Sequence, residues 1–509
     1  MPKPGAGKAY GSSPSASAKL IVFDLGNASG RVSLGSLEDE RLRTEEIYRF
    51  VNGPSRLGQR WYWDVLRLHA EVMEGLRRAA TILGEAPATI GIDSWGVDYA
   101  YLDASGAVMA PMRHMRDPRT DGVYEAIHRR LSRGELYRRT GAMTIQINTL
   151  AQLYAERREQ PWLQKAAATL LFTSDLINYF LTGLRVSDVT IASTSQFLDP
   201  ARRAWRPDVL SDLGLASHFL PPLVEPGTVL GPLLPEVRSA AGLGAGVQAV
   251  AVAGHDTAAA VAATPFAPGR RAAFISAGTW SLLGREIIAP DLSDASLDSN
   301  FTNECGVGGA IVHHKILCGL WLVQECRRIW SKTAALDYAD LDRAANAQPP
   351  LAFVFDPDDP RFLTPSDMPA AIVSWFRDRG LPAPEGVGPI ARAIYDSLAL
   401  NHRHALDDLA RLGEGAIEEI NLVGGGVQAA LLAQATSDAA GLPVLAGPQE
   451  ATVAGNMLCQ LLAAGAIADL EEGRAMIRRS NELATYRPRE RSAWETASVV
   501  FRSLKAASR

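Results

Sequence analysis

The 509-residue sequence contains little cysteine. Its four cysteines stand at Cys305, Cys318, Cys326 and Cys459. None forms a C-x-x-C motif, and no histidine pattern typical of a zinc site lies beside them. We interpret them as reduced thiols, which are typical of a cytoplasmic protein.

Long hydrophobic runs are missing as well. No segment approaches 18 uninterrupted strongly apolar residues, and the nearest, 249–263, is broken by His255 and Asp256. A membrane-spanning helix needs about 20 apolar residues, so we predict no membrane segment. The first 18 residues are rich in glycine, serine, proline and alanine and lack the apolar region of a signal peptide, which predicts a disordered tail.

A marked excess of one charge sign is also missing. The formal net charge is −5, with 21% charged and 47% hydrophobic residues. Proteins that bind nucleic acid usually carry a basic surface, so we expect no nucleic acid among the partners. The composition is that of an ordinary globular protein, and the length predicts two or three domains.

What the sequence does contain is a carboxylate near its middle, where a strand is expected to meet a helix. Ala249–Ala253 are small and apolar, which predicts a buried strand. Gly254 ends that strand, and Asp256 precedes an alanine-rich run of high helix propensity. Open α/β sheets place their chemistry at the carboxyl ends of strands, so Asp256 is a candidate catalytic residue. The alternative is that Asp256 only caps the helix.

A β-hairpin rich in hydrogen-bond donors is predicted near the start of the chain. Leu20–Asp24 and Val32–Leu37 flank a turn with two glycines, an amide, a hydroxyl and a guanidinium. Glycines let backbone N–H groups approach an anion, and Ser29 and Arg31 add donors, so the turn is a candidate phosphate site. Asp24 offers an oxygen to a metal-bound water. An ordinary glycine turn is the alternative.

Two polar stretches follow in the first half. Gly91–Asp98 lies in a predicted strand–turn–strand unit and combines aspartates with a tryptophan, which suits a small polyol; a turn beside a buried tryptophan is the alternative. Arg113–Thr120 is too polar for a protein core. Arg116 and Asp117 there either contact a hydroxylated ligand or pair with each other on the surface.

Apolar spacing predicts helices over 61–83, 170–181, 315–330 and 391–412. In the first of them the stripe expected to face the core consists of Leu66, Ala70, Met73, Leu76 and Ala80.

The second half repeats the pattern of the first. Arg271–Ala277 and Leu282–Ile287 are predicted strands on either side of a glycine-and-hydroxyl turn, as in the first hairpin. Further on, the predicted strand Glu419–Val423 enters Gly424–Gly426 and then a helix. Three glycines allow a flat ligand to approach the backbone in front of a helix N-terminus. Close helix packing is the alternative explanation of the glycines.

These motifs, in this order, resemble those of the FGGY family of carbohydrate kinases, and of its rhamnulokinase branch in particular. The matching segments extend over about 24–456. They are Asp-Leu-Gly-Asn-Ala-Ser-Gly-Arg (24–31), Gly-Ile-Asp-Ser-Trp-Gly-Val-Asp (91–98), Arg-Asp-Pro-Arg-Thr (116–120), His-Asp-Thr (255–257), Gly-Thr-Trp-Ser-Leu-Leu-Gly (278–284), Gly-Leu-Trp-Leu-Val-Gln (319–324), Val-Gly-Gly-Gly-Val-Gln (423–428) and Ala-Gly-Pro-Gln-Glu-Ala (446–451).

The resemblance implies an α/β fold: the two-domain actin/hexokinase/Hsp70-like (ribonuclease H-like) fold, with the active site in the cleft between the domains. We expect a disordered tail over 1–18 and an N-terminal domain over 19–264, which carries the sugar site, the base and the first phosphate hairpin. The C-terminal domain, 265–509, is expected to bind the nucleotide.

The resemblance also implies a reaction, the ATP-dependent phosphorylation of a ketose, with L-rhamnulose to L-rhamnulose 1-phosphate expected. Asp256 would be the general base, and Asp24 would lie near Mg²⁺ through bound water. The implied sugar-binding residues are Asp93, Trp95, Gly96, His255, Asp256 and Thr257. The implied ATP-binding residues are Asn27, Ala28, Ser29, Gly30, Arg31, Thr279, Gln324 and Gly425. The expected partners are a small sugar and ATP, with no nucleic acid and no membrane, for a cytoplasmic monomer or homodimer.

One departure from the family pattern concerns the sugar. After Lys315 the rhamnulokinase pattern has an asparagine that contacts the sugar, whereas this chain has Ile316. A lost amide removes a hydrogen bond that discriminates between ketoses. A kinase for another sugar or polyol, such as fuculose, xylulose, ribulose or glycerol, is therefore an alternative. A non-catalytic sensor is a further alternative, although a pure binder needs no base.

Overall fold

The computed structural model of the protein describes residues 19–333, 335–413 and 415–507. The predicted tail over 1–18 lies outside the described residues. No helix among the described residues is long and apolar enough to cross a membrane.

The chain begins with an antiparallel hairpin, as the sequence predicts. The elements of the first part are β1 (Lys19–Leu25), β2 (Ser29–Glu38), β3 (Arg41–Val51), β4 (Ser55–Leu57), β5 (Arg60–Tyr62), α1 (Val65–Leu83), β6 (Ala88–Ser94) and β7 (Tyr99–Leu102). A mainly helical part follows. Its elements are α2 (Val123–His128), α3 (Arg133–Thr140), α4 (Thr149–Glu159), α5 (Pro161–Ala166), β8 (Thr169–Phe172), α6 (Thr173–Thr182), β9 (Ser187–Asp188), α7 (Val189–Ala192), β10 (Leu198–Asp199), β11 (Ala204–Trp205), α8 (Pro207–Asp212), β12 (Leu223–Val224), β13 (Thr228–Pro232) and α9 (Pro235–Ala241).

The central strand and helix then lead into a second sheet. These elements are β14 (Gln248–Ala251), α10 (Asp256–Ala262), β15 (Ala272–Ala277), β16 (Trp280–Ile287), α11 (Asp294–Asp298), β17 (Thr302–Cys305), β18 (Ile311–Cys318), α12 (Trp321–Trp330), α13 (Tyr338–Asn346), α14 (Met368–Arg377), α15 (Val387–Arg411), β19 (Glu419–Val423), α16 (Ala430–Ala440), β20 (Val444–Ala446), α17 (Ala451–Ala463), α18 (Leu470–Ser480), β21 (Ala484–Tyr486) and α19 (Arg491–Ala507).

Two sheets of matching topology confirm the internal repeat. The first has the order β13-β14-β6-β1-β2-β3, and the second has the order β17-β18-β16-β15-β19-β20-β21. In each, an antiparallel hairpin (β1–β2 or β15–β16) joins two parallel neighbours (β6 and β14, or β19 and β20). The parallel strands end at one edge of each sheet, which is where such sheets bind ligands.

Strand β1 is apolar without alternation because both of its faces are covered. Ile21 and Phe23 pack in the core that contains α1, whereas Leu20 and Val22 pack against α17. A strand buried on both faces needs a continuous apolar run, and this run led us to predict a strand here. Helix α17 follows strand β20 of the second sheet in sequence but packs on the first sheet.

Helix α1 begins later than predicted, and its buried face matches the predicted stripe only in part. Residues 60–62 form β5 instead, and Asp64 caps the helix by accepting a hydrogen bond from Arg67 N (3.0 Å). Met73, Leu76 and Ala80 are buried as predicted, and Val65, Leu68 and Val72 are buried beside them. Leu66, expected in the core, is 82% exposed, and Ala70 is exposed as well. The apolar spacing therefore identified the helix but not the centre of its buried face.

Two predicted helices begin with strand residues. Residues 315–318 end β18, which is hydrogen-bonded to β16 on one side and, over 311–314, to β17 on the other; the helix starts only at Trp321. Likewise, Thr169–Phe172 pairs with β7 before α6 begins. In both places pairing with distant strands overrides local helical spacing.

Candidate active site

The first candidate phosphate turn connects β1 to β2 and is anchored by hydrogen bonds. Gly26 N donates to Ser29 O (3.0 Å), and Asn52 holds the turn through its Nδ2 to Gly26 O (2.8 Å). A Cβ on Gly30 would lie 2.1 Å from the Phe50 ring, so no larger residue fits there. Asn27 and Ala28 are exposed at the tip. The turn therefore offers backbone and side-chain donors to the cleft.

Asp24 and Asp93 stand side by side at the ends of β1 and β6, in direct register. Arg31 Nη2 lies 2.7 Å from Asp24 Oδ2, and Nη1 also pairs with Glu450 at the start of α17. Asp93 is fully buried and accepts a hydrogen bond from Asn456 Nδ2 (2.6 Å), while its Oδ1 has no donor. Burial, reinforced by the charge of Asp24, raises the pKa of Asp93 well above its ordinary value.

Asp256 is the first residue of α10, and its carboxylate does not cap the helix. The cap position belongs to His255, whose side chain makes no capping hydrogen bond, so the capping alternative is wrong. Thr257 Oγ1 donates to Asp256 Oδ1 (3.2 Å), and the Asp256 side chain is 35% exposed. Burial raises the pKa of Asp256, opposed by the neighbouring His255. A helix N-terminus by itself favours an ionised carboxylate, but desolvation outweighs that effect here.

His255 lies between two carboxylates. Its Nε2 is 3.4 Å from Asp256 Oδ1, and its Nδ1 is 3.0 Å from Glu304 Oε2 on β17. Burial has the largest single effect and lowers the pKa of His255, but Glu304, Asp256 and Asp188 together outweigh it, and the net shift is upward. Glu304 was not among the predicted site residues. The only signal in the sequence was a carboxylate at the end of the polar segment 300–304.

A second missed carboxylate, Asp188, fixes the backbone that carries this histidine. Its Oδ1 accepts from Gly254 N (2.9 Å), and Thr190 Oγ1 accepts from His255 N (3.2 Å). Burial raises the pKa of Asp188 to about 6.

The 95–98 turn lies beside the same segment, because Ser94 N donates to Gly254 O (2.9 Å). Trp95 is 2% exposed and donates from its indole to Asp98 Oδ2 (3.0 Å). A Cβ on Gly96 would lie 3.0 Å from Thr194. Val97 has φ 69°, which β-branched residues rarely adopt. This strained turn is held by hydrogen bonds from several elements, as is common near binding sites.

The glycine-and-hydroxyl turn between β15 and β16, the second candidate phosphate site, brings Thr279 next to Gln324. Thr279 Oγ1 donates to Gln324 Oε1 (3.2 Å), and Trp321 N donates to Thr279 O (3.1 Å). The glycine turn after β19 lies next to it, since a Cβ on Gly426 would be 2.4 Å from Ala277. Gly425, by contrast, has open space in front of its α-carbon. Thr279 and Gly425 therefore lie on neighbouring turns of the second sheet, and Gln324 of α12 contacts the first of these turns.

The 113–120 segment is not the polar surface we predicted. Asp117 is fully buried, accepts from Trp61 N (2.8 Å) and lies 3.3 Å from both Arg60 and Arg113. Arg116 is exposed, and the pairing with Asp117 is made by other arginines. The charges are buried because they neutralise each other, which composition does not show.

The two halves of the chain match known sequence families. Residues 20–263 match the N-terminal domain of the FGGY family of carbohydrate kinases, and residues 273–464 match its C-terminal domain. The chain belongs to the FGGY family of carbohydrate kinases. This kinase therefore transfers a phosphoryl group from ATP to a sugar, as the sequence predicted.

Relatives along the whole chain carry a more specific description. This kinase is 41% identical to a rhamnulokinase of Bacteroides thetaiotaomicron, over 95% of this chain and 99% of the relative. It is 39% identical to a rhamnulokinase of Pectobacterium carotovorum (93% and 94%) and 35% identical to one of Bacillus subtilis (92% and 95%).

Solved structures share the fold at low sequence identity. A ligand-bound xylulose kinase of Lactobacillus acidophilus superposes with a TM-score of 0.78 at 15% identity, covering 96% of this chain and 98% of that one. A Plasmodium falciparum glycerol kinase with ADP gives 0.76 at 13% identity, covering 96% and 98%. These neighbours confirm the predicted two-domain kinase fold.

Proposed function

We propose that this kinase converts L-rhamnulose to L-rhamnulose 1-phosphate with ATP. The observation that carries the proposal is 33–41% identity, over 92–95% of the chain, to proteins described as rhamnulokinases. We further propose that it works in the cytoplasm as a monomer or homodimer.

Asp256 is the proposed general base. Its carboxylate is partly exposed at the cleft and has a raised pKa, which brings it closer to neutral pH, where a base is most effective. In the reaction the sugar hydroxyl oxygen bonds to the γ-phosphorus while its proton passes to Asp256. The bond from the γ-phosphorus to the bridging oxygen breaks, and ADP leaves.

The two turns are proposed to hold the nucleotide. Asn27–Arg31 would bind phosphates from the first half, and Thr279 from the second. Gln324 and the open face of Gly425 would line the nucleotide. Phosphoryl transfer asks the protein mainly for positioning and charge neutralisation, which such turns provide.

The sugar is proposed to bind at 255–257 and at the 93–96 turn. Trp95 is covered in this conformation, so its contribution is the shape of the turn that presents Gly96 and not a stacked ring.

Mg²⁺ is the proposed metal, and the residues present fit it. Asp93 Oδ1 is buried without a donor, and Asp24 lies in register beside it. Among the described residues no closed cluster of three or more potential metal ligands exists. Mg²⁺ commonly takes one or two carboxylates and completes its shell with phosphate oxygens and water. When bound, the ion would neutralise charge on the phosphates.

A related ketose is the second candidate substrate. Ile316 is partly buried on the same face of β18 as His314 and replaces the amide of the rhamnulokinase pattern. An assay of ADP release across L-rhamnulose, L-fuculose, L-xylulose, D-ribulose and glycerol tests both. The proposal predicts the highest kcat/KM with L-rhamnulose. Faster turnover of another sugar would replace the substrate, and no sugar-dependent ADP release at all would favour a sensor.

A further inference from the structure

Glu304 lies at the centre of a chain of four ionisable side chains in the cleft. Its Oε1 is 3.7 Å from His314 Nε2, and its Oε2 is 3.0 Å from His255 Nδ1. The far side of His255 faces Asp256 at 3.4 Å. The order is therefore imidazole, carboxylate, imidazole, carboxylate, with the last member at the cleft.

These four side chains come from both halves of the protein. Glu304 and His314 lie on the paired strands β17 and β18 of the second sheet, whereas His255 and Asp256 follow β14 of the first. Strand β17 is docked on the first half: Cys305 N donates to Ser193 Oγ (2.9 Å). Glu304 is consequently held at a fixed place relative to His255.

Burial makes this arrangement costly unless its members support each other. The side chains of Glu304, His255 and His314 are 12%, 11% and 1% exposed. Burial raises the pKa of Glu304, but His314 and His255 outweigh it, and the net shift is downward. A buried carboxylate is tolerated when it is paired. His314 Nε2 makes no hydrogen bond, and the Glu304 carboxylate at 3.7 Å is its ion-pair partner.

We propose that Glu304 is a positioning residue of the sugar site, which orients His255 so that its Nε2 faces Asp256 and the sugar, and that His314 supports Glu304 from behind. The proposal rests on the assignment of the sugar to 255–257. It also gives a role to His314, which lies two residues before the unusual Ile316 on the same face of β18.

The test compares Glu304→Gln with a control glutamate. Glu286 is similarly buried and pairs with Arg474 at 2.8 Å, beside the opposite end of α10. With the sugar on which the wild type is fastest, Glu304→Gln should lower kcat/KM for the sugar about 10- to 100-fold, the effect of losing charge-assisted hydrogen bonds. The KM for ATP should stay within about twofold. Glu286→Gln should change neither by more than about twofold.

The pH profile separates positioning from mere packing. Without Glu304, His255 loses its proton more readily, and Asp256 loses the neighbouring cation that opposes its raised pKa. The acidic limb of the kcat profile should then move to higher pH. The other ionisable groups that act on His255 and Asp256 are Asp188, His314, Asp24 and Asp93, which the variant leaves in place.

A double variant shows whether Glu304 acts through His255. If it does, Glu304→Gln combined with His255→Gln should be no slower than His255→Gln alone, within about twofold. If the losses in kcat/KM from the two single variants multiply in the double variant, the proposal is overturned. It is also overturned if Glu304→Gln alone keeps more than half of the wild-type kcat/KM.

If Glu304→Gln does not fold, His314→Phe takes its place: a 3- to 10-fold loss in kcat/KM for the sugar supports the proposal, and an unchanged value overturns it. The test uses whichever sugar the wild type phosphorylates fastest. A wrong sugar assignment would therefore change the proposed function without affecting the test of Glu304.

Discussion

Asn456 donates a hydrogen bond of 2.6 Å to Asp93, which lies 363 positions earlier in the chain. One helical turn further along α17, Gln460 donates to Asn456 Oδ1 (2.8 Å) and accepts from Thr89 (2.6 Å). These buried amides attach α17 to the first sheet, because breaking the contacts would leave buried polar groups unsatisfied. The floor under the cleft carboxylates thus belongs to both halves of the sequence.

Closure of the cleft follows from this arrangement. We expect the turns that carry Thr279 and Gly425 to approach the first sheet when ATP and sugar are both bound, with β17 and α17 remaining docked on the first half, because the two proposed phosphate turns lie on different sheets. Small-angle scattering should show a smaller radius of gyration for the protein with both a non-hydrolysable ATP analogue and the sugar than for the protein with either ligand alone. An unchanged radius with both ligands would contradict closure.

Asp256→Asn should lower kcat by at least about 10², the low end for a general base, because an amide cannot take the hydroxyl proton. Binding of ATP and sugar should be largely retained. The control is Asp294→Asn, which changes an exposed aspartate at the first position of α11. Steady-state kinetics provide the measurement, and more than half of the wild-type rate at saturating substrate would remove Asp256 from this role.

Thr279→Val and Arg31→Ala should weaken the use of ATP and spare sugar affinity. We expect about 1–3 kcal/mol from each, the range of hydrogen bonds to charged groups. The control for Arg31 is Arg49→Ala, since Arg49 is its exposed cross-strand neighbour on β3. The KM values for ATP and for the sugar, measured separately, test the assignment of each residue to ATP binding. A rise confined to the KM for the sugar would show that the residue is misassigned.

Asp98 should make stability depend on pH. It accepts from the indoles of Trp63 (2.6 Å) and Trp95 (3.0 Å), and burial raises its pKa to about 6. Between about pH 4 and 6 the unfolded chain ionises first, so the free energy of unfolding falls by about 2–3 kcal/mol through this residue. Asp98→Asn cannot ionise. Urea unfolding at pH 4.5 and 7.5 should show that the wild type's advantage over the variant shrinks at the higher pH; a constant difference would contradict the shift.

Ile316→Asn should shift the choice of sugar. Isoleucine offers only apolar contact, which suits a methyl group or a deoxy carbon, whereas asparagine favours a hydroxyl by about 1–2 kcal/mol. The measurement is the ratio of kcat/KM for two ketoses that differ at that carbon. Ile316→Val keeps the apolar surface and should leave the ratio unchanged. If Ile316→Asn also leaves it unchanged, the side chain does not face the sugar.

Local pattern was a good guide where a single segment forms its own structure. The first hairpin, the strand before Asp256 and the glycine turn after β19 appear where the sequence predicts them, because short apolar runs ended by glycines determine them locally. The predictions failed at Leu66, which lies outside the buried face of α1, and at Lys315, where the pairing of β18 with β16 overrode helical spacing.

The sequence by itself determined the family, the repeated strand pattern and the turns that carry Asp256, Thr279 and Gly425, because each depends on residues close together in the chain. Only the tertiary structure decided which distant groups support them. Asn456 reaches Asp93, and Glu304 reaches His255, across the boundary between the halves. Such contacts depend on how two sheets are packed and on which buried charges must be neutralised, and neither leaves a periodic signal in the sequence.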